Sequence, residues 1–180
     1  AQNGIDAIEL ENEIIEIGAT LIDDDFEIIS KLDQFIRPSV NPVLSEFCTR
    51  LTTITQKDVD NAPLFPEAWN NFQNNVELII NGRFEDLKFG SWGFYDNKQI
   101  KKDCLQHNIK FPFNNHFSVK HEFAKRRNIK PCGVSAALKI LKLQFEGTQH
   151  RAIDDILNIS KIFIQEWRST GFQKQLSSSF

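Results

Sequence analysis

Two β-rich runs joined by three consecutive aspartates constrain this chain more than any other feature. Residues 13–22 (EIIEIGATLI) are rich in β-formers and about half apolar, Asp23-Asp24-Asp25 has the composition of a turn, and residues 26–36 (FEIISKLDQFI) resume the β pattern. Such runs on either side of a short polar turn predict a hairpin, and a hairpin excludes an all-helical bundle. Pro38 and Pro42 end the second strand, because neither can donate to a ladder, and start an extended loop.

Beyond that loop the apolar period changes. Thr55-Gln56-Lys57-Asp58 has the form of a capping box with Asp in the Glu position, opening a short helix. A longer helix is predicted after Pro66, with Trp69, Phe72, Val76 and Ile79/Ile80 at helical spacing. Residues 87–92 read as a third strand, and helices follow at about 97–107, 117–128, 134–141 and 152–168. In the last, Ile153, Ile156, Leu157, Ser160, Phe163, Ile164 and Trp167 mark one apolar stripe. A hairpin followed by helices and at least one more strand predicts an α/β layered domain. With no repeat and no Gly/Ser linker, the 180 residues are read as one domain, 1–180.

Composition removes several function classes. Twenty-one basic against 24 acidic residues leave a net charge of −3, which excludes a basic nucleic-acid coat protein. Cys48, Cys104 and Cys132 have no CxxC spacing and cannot all pair, so a disulfide scaffold or zinc ribbon is excluded. They are read as buried or inert thiols of a reducing, cytoplasmic compartment. No apolar run approaches the ~20 residues of a membrane span and no secretory signal is visible, so no membrane partner is expected.

Three residues stand where α/β folds tend to place their sites. Asp96 lies just after the strand that ends near Trp92; His150 stands immediately before the last helix; Asp155 lies five positions further on. Each has a plain reading: Asp96 as a helix N-cap, His150 as an exposed loop residue, Asp154 and Asp155 as first-turn acids that complement the helix dipole. Together they offer two carboxylates and an imidazole. Oxygen ligands of this kind suit Mg²⁺ or Mn²⁺, and two such ions about 3.5–4 Å apart would clamp the oxygens of a phosphodiester displacement. A nearby histidine can take the proton of the attacking water. Tyr95, Trp92 and Phe94 flank Asp96 and are either core residues or base-stacking ones. Lys98, Lys101, Lys102, Lys120, Lys125, Arg126, Arg127 and Lys130 read as solvated helix faces or as a local phosphate patch. His107, His116 and His121 fit no ligand spacing.

A series of blocks then occurs in order. They are Glu13-Ile14-Ile15-Glu16-Ile17-Gly18-Ala19, Phe35-Ile36-Arg37-Pro38, Leu44-Ser45-Glu46-Phe47-Cys48, Leu51-Thr52-Thr53-Ile54-Thr55 and Ser91-Trp92-Gly93-Phe94-Tyr95-Asp96. Phe145-Glu146-Gly147 and His150-Arg151-Ala152-Ile153-Asp154-Asp155-Ile156-Leu157-Asn158-Ile159 close the series. The chain resembles the DEDDh 3′–5′ exonucleases, in the branch that trims small RNAs and histone-mRNA or ribosomal-RNA 3′ ends, from about residue 12 to about 167.

The resemblance implies a ribonuclease-H-like α/β fold: a mixed sheet of about five strands with helices on its faces. It implies hydrolysis of single-stranded RNA or DNA from the 3′ end to nucleoside 5′-monophosphates, with two divalent ions, Mg²⁺ or Mn²⁺. Asp96 and Asp155 match metal-ligand positions, His150 matches the general base, and Leu51, Thr52 and Tyr95 match positions against the substrate. Helical spacing from His150 would select Asp154; the resemblance selects Asp155 and sets His150 on a loop ahead of the helix.

Two departures qualify it. Thr53 stands where the family has Gly. The family's first motif, Asp-x-Glu on the central strand, has no separate match. Glu9-Leu10-Glu11 precedes Glu13 too closely to form a strand and return, so residues 1–11 are read as a polar connection with that strand upstream of Ala1. The absence of any methionine fits such a start. Without those upstream acids the alternative is a catalytically inactive exonuclease-like module that binds RNA or serves as an interaction surface.

Overall fold

The computed structural model describes residues 12–168. β1 (Glu16–Ile22) and β2 (Ile28–Phe35) form the predicted antiparallel hairpin, with Glu16 opposite Phe35 and Leu21 opposite Ser30. Asp23 builds its turn: Oδ1 accepts the N–H groups of Asp25 at 3.0 Å and Glu27 at 2.8 Å. Phe26 closes the turn at φ 61°, held there by packing of its ring against Phe163, 5.9 Å between centroids.

The loop after Pro38 and Pro42 is shorter than expected, because helix α1 (Glu46–Thr52) interrupts it; Ser45 Oγ accepts the Cys48 N–H at 3.1 Å. α2 (Gln56–Asp60) starts at the predicted capping box, where Asp58 Oδ2 takes both the N–H (2.8 Å) and the O–H (2.6 Å) of Thr55. α3 (Phe65–Ile80) leads through a 3₁₀ turn at Phe84–Asp86 into β3 (Phe89–Ser91), the predicted third strand. α4 (Tyr95–Gln106) follows. Then β4 (His116–Ser118) pairs parallel with β3, so the helix expected from 117 begins only at α5 (Val119–Arg127). α6 (Val134–Ile140) and α7 (Ala152–Arg168) complete the order.

Among the described residues the four strands form two separate pairs, β1–β2 and β3–β4, rather than one sheet of about five. The strand expected upstream, and Glu9-Leu10-Glu11, lie outside the described residues. None of the helices among the described residues is long and apolar enough to cross a membrane.

The two-residue period of β1 divides its neighbours. Ile17, Ala19 and Leu21 pack with Ile36, Trp69, Phe72 and Val76, a cluster in which the hairpin meets α3. Glu16, Gly18 and Thr20 face α7: Thr20 Oγ1 and Ser160 Oγ share a 2.7 Å hydrogen bond. Gly18 lets the helix start touch the strand, since a Cβ there would fall 2.3 Å from the Ala152 carbonyl carbon. A second apolar cluster, with Val119, Phe123, Leu138, Ile162 and Trp167 buried, joins α5, α6 and α7. Glu166, buried on α7, takes Arg127 at 2.8 Å and Arg126 at 3.8 Å, so two members of the basic cluster cross-link helices. Cys104 is buried, which pushes its thiol up to about 11; Cys48 and Cys132 are half-buried, and all three are free.

Gly18→Ala tests the docking of α7 on β1. The added methyl meets backbone that cannot move aside, and a loss of about 3 kcal/mol is expected. Urea unfolding followed by circular dichroism measures it; an unchanged midpoint would contradict the close approach.

Candidate functional site

α7 begins at Ala152, so His150 lies outside the helix, in the left-handed region at φ 67°. Helical phase therefore does not relate His150 to Asp154. Asp154 is turned back into the preceding loop: its Oδ2 accepts the Thr148 N–H at 2.8 Å. Gly147, at φ 89°, makes room for it, because a Cβ there would fall 2.4 Å from the Asp154 carboxyl carbon. Asp155 points elsewhere. Its Oδ2 accepts the His150 N–H at 3.2 Å, and its own N–H donates to the Arg151 carbonyl at 2.9 Å. Burial pushes the Asp155 carboxyl above the usual carboxylate range, against the lowering influence of His150. A carboxylate in that position gains from a cation.

Behind this pair lies a charged group that the sequence reading did not single out. Glu16, at the head of β1, has a side chain 3% exposed and pairs with Arg151 at 3.0 Å. Its Oε2 also accepts the Ala152 N–H at 2.9 Å, capping α7 from another element. Arg151 lies 3.9 Å from Asp33 on β2 and 5.3 Å from the centre of the Phe35 ring. The Asp33 carboxyl is pushed up to about 6, by burial first and then by the negative charge of Glu16. Glu16 and Arg151 are 135 positions apart, and the only sequence signal was an acid within a strand-like run.

Asp96 follows the end of β3. It is exposed and lies within the first turn of α4, whose cap is Phe94, so it is not the N-cap of its plain reading. Tyr95 beside it is 67% exposed and Phe94 50% exposed. The Phe94 ring stacks on His121 at 4.9 Å and lies 5.8 Å from His116. Serines hold both imidazoles: Ser91 Oγ is 2.9 Å from His116 Nε2, and Ser118 Oγ is 2.6 Å from His121 Nδ1. Burial holds His116 below the ordinary imidazole range, with the Asp96 charge opposing. Two histidines without ligand spacing are thus gathered around an aromatic at this strand end. Trp92 is structural: its Nε1–H donates to the Cys132 carbonyl at 3.2 Å.

Leu51 and Thr52 lie on α1, a helix with no buried residue. Leu51 is 40% exposed, and Phe47, one turn earlier on the same face, is 64% exposed, a neighbour the sequence reading missed despite its four-residue spacing. The Thr52 hydroxyl donates to the Cys48 carbonyl at 2.8 Å and accepts the Ile54 N–H at 3.2 Å. Thr53 ends the helix at φ 63°, its N–H on the Thr49 carbonyl. That is a left-handed helix terminus, where glycine is unstrained and a β-branched residue is not.

The structure brings His150 and Asp155 together. Among the described residues no hydrogen bond or ion pair joins them to Asp96, and no group of three or more His, Cys, Asp or Glu side chains is placed to hold a metal. The donor chemistry of the two carboxylates suits a hard divalent cation.

Two measurements check these environments. Thr53→Gly should stabilise the protein by about 1 kcal/mol in denaturant unfolding, since it relieves the left-handed backbone at a helix end. For Asp33 the folded state binds the proton more tightly than the unfolded chain, whose ordinary value is near 3.8. The stability this gives is fully present below that value and is lost as the pH rises through about 6. The Tm of Asp33→Asn relative to the parent should therefore climb between pH 4 and pH 7; a constant offset would contradict the assignment.

A protein-family model described as RNase_T, exonuclease, matches residues 3–163. The 3'-5' exonuclease eri1 of Schizosaccharomyces pombe is 29% identical, the match covering 84% of this chain and 60% of that protein. The 3'-5' exonuclease Snipper of Drosophila melanogaster is 31% identical over the same shares, 84% and 60%. The chain thus spans about three-fifths of the length of these relatives. The structure of the nuclease domain of 3'hExo, a DEDDh family member bound to rAMP, superposes with a TM-score of 0.84 at 25% identity, covering 94% of this chain and 87% of that one. With the matching model running through nearly all of the hairpin, both strand pairs and α7, the chain belongs to the exonuclease family, among the DEDDh 3′–5′ exonucleases with a ribonuclease-H-like α/β domain.

Proposed function

We propose that this domain hydrolyses single-stranded RNA, and DNA of the same form, from the 3′ end, releasing nucleoside 5′-monophosphates. The observation that carries this reading is the His150–Asp155 pair: a histidine whose backbone N–H is held by the Asp155 carboxylate, a carboxyl raised by burial, at the start of α7. His150 takes the proton of the attacking water. Asp155 and Asp96 would serve as ligands to two divalent ions, Mg²⁺ or Mn²⁺. Such ions, when bound, neutralise charge on the phosphodiester. Leu51, Thr52 and exposed Phe47 meet the terminal nucleotide, and Tyr95 stacks on a base, a contact worth about 1–3 kcal/mol.

The reading is tested with the full-length protein, a 3′-terminal single-stranded RNA labelled at its 5′ end, and Mn²⁺. The parent should shorten the RNA stepwise. His150→Ala should cost about 10²- to 10⁴-fold in kcat, the range for losing a general base, and Asp155→Asn at least as much, with thermal unfolding of both close to the parent. A parent that binds the RNA and never shortens it would favour the inactive binding module. Equal activity in parent and variants would displace His150 and Asp155 from the site.

A further inference from the structure

We propose that Glu16 is a positioning residue for His150, acting through Arg151 and Ala152; this rests on the reading of His150 as the base. Glu16 is almost fully enclosed, and a carboxylate out of water stays charged only when its oxygens are partnered. They are. Oε1 accepts Arg151 Nε at 3.1 Å and Nη2 at 3.0 Å, while Oε2 accepts the Ala152 N–H at 2.9 Å. Both partners lie within two residues of His150 on its C-terminal side.

On the other side of the arrangement, Asp155 holds the His150 N–H, and Asp155's own N–H is bonded to the Arg151 carbonyl. His150 is caught between these attachments at φ 67°. A residue other than glycine keeps that backbone only where its surroundings over-determine it. The Arg151 fork is itself fixed by three groups of one hairpin: Glu16, Asp33 and the Phe35 ring. The rigid hairpin thus sets the direction in which the chain enters α7, and with it the direction of the imidazole.

A purely structural clamp is the competing account, and the structure supplies the means to separate the two. α7 is docked on β1 independently of Glu16, through the Thr20–Ser160 bond and the contact at Gly18. Loosening Glu16 should therefore disturb the entry to the helix more than the helix itself. Glu16→Gln keeps an oxygen for the Ala152 N–H and loses the charge on Arg151. Arg151→Met keeps the side chain's length and loses the fork together with its place over Phe35, whereas Arg151→Lys keeps the charge alone.

The experiment uses the full-length protein, the 5′-labelled single-stranded RNA and Mn²⁺, with binding of the same RNA measured in EDTA. Glu16→Gln and Arg151→Met should each lower kcat ~10- to 100-fold, with KM and RNA affinity within about two-fold of the parent. Arg151→Lys should recover part of the loss. The decisive arm is the His150→Ala background, in which Glu16→Gln should cost almost nothing more, because its route to the chemistry is gone. If Glu16→Gln fails to fold, the Arg151 variants, at a partly exposed side chain, carry the test. Unchanged kcat in the folded variants, or losses that multiply with His150→Ala, would overturn the inference while leaving the exonuclease reading intact. A parent that cleaves nothing would overturn both.

Discussion

The packing of α7 against β1 is the contact on which the rest of this domain depends. β1 has apolar side chains on one face for α3 and a sequence of Glu16, Gly18 and Thr20 on the other for α7. The second face is unusual for a strand near a core: an acid, a glycine and a hydroxyl. Each has a distinct physical purpose. Gly18 removes the side chain that would hold the helix off, Thr20 meets Ser160, and Glu16 satisfies an N–H at the start of a helix. A larger or apolar set of residues would hold the helix further out and leave that N–H without a partner.

From that contact follows the difference between two adjacent acids. Successive residues of a helix point about 100° apart, so Asp154 and Asp155 cannot serve the same surroundings. Asp154 is taken up by the Gly147–Thr148 turn, and Asp155 by the backbone of His150. The end of the loop is thereby tied at two points, Thr148 and His150, to the first turn of α7, and His150 is set beside a carboxyl whose burial makes a nearby positive charge favourable. The aromatic and imidazole cluster around Phe94 belongs to a strand-end environment built by β3 and β4.

Legibility in the sequence followed the strength of local signals. The hairpin, the capping box at Thr55 and the long helices α3 and α7 each span enough residues for a period or a cap to show, and the strand at residues 89–91 shows as part of the longer run at 87–92. β4 has three residues and no period of its own; it exists because β3 offers it a parallel edge. α1 was hidden because it buries nothing, so no apolar stripe marks it. The assignment of His150, Asp96 and Asp155 to the candidate site rests on ordered sequence blocks, whereas composition alone favoured ordinary caps and loop residues for all three. Glu16 and Arg151 lie within those blocks with no local signal of a role, since only folding brings their side chains together.

By itself, the sequence determined the period-two hairpin, the apolar stripes of its longest helices and the residue types able to hold a divalent cation or move a proton. These are properties of neighbours along the chain, and backbone geometry alone converts them into structure. Only the tertiary structure decided that Asp154 turns into the loop while Asp155 meets His150, that Thr53 occupies a left-handed helix end, and that a buried glutamate on the first strand holds the entry to the last helix. The reason is that a buried charge or an unpaired N–H must find its partner wherever the packed chain places one, at any distance along the sequence.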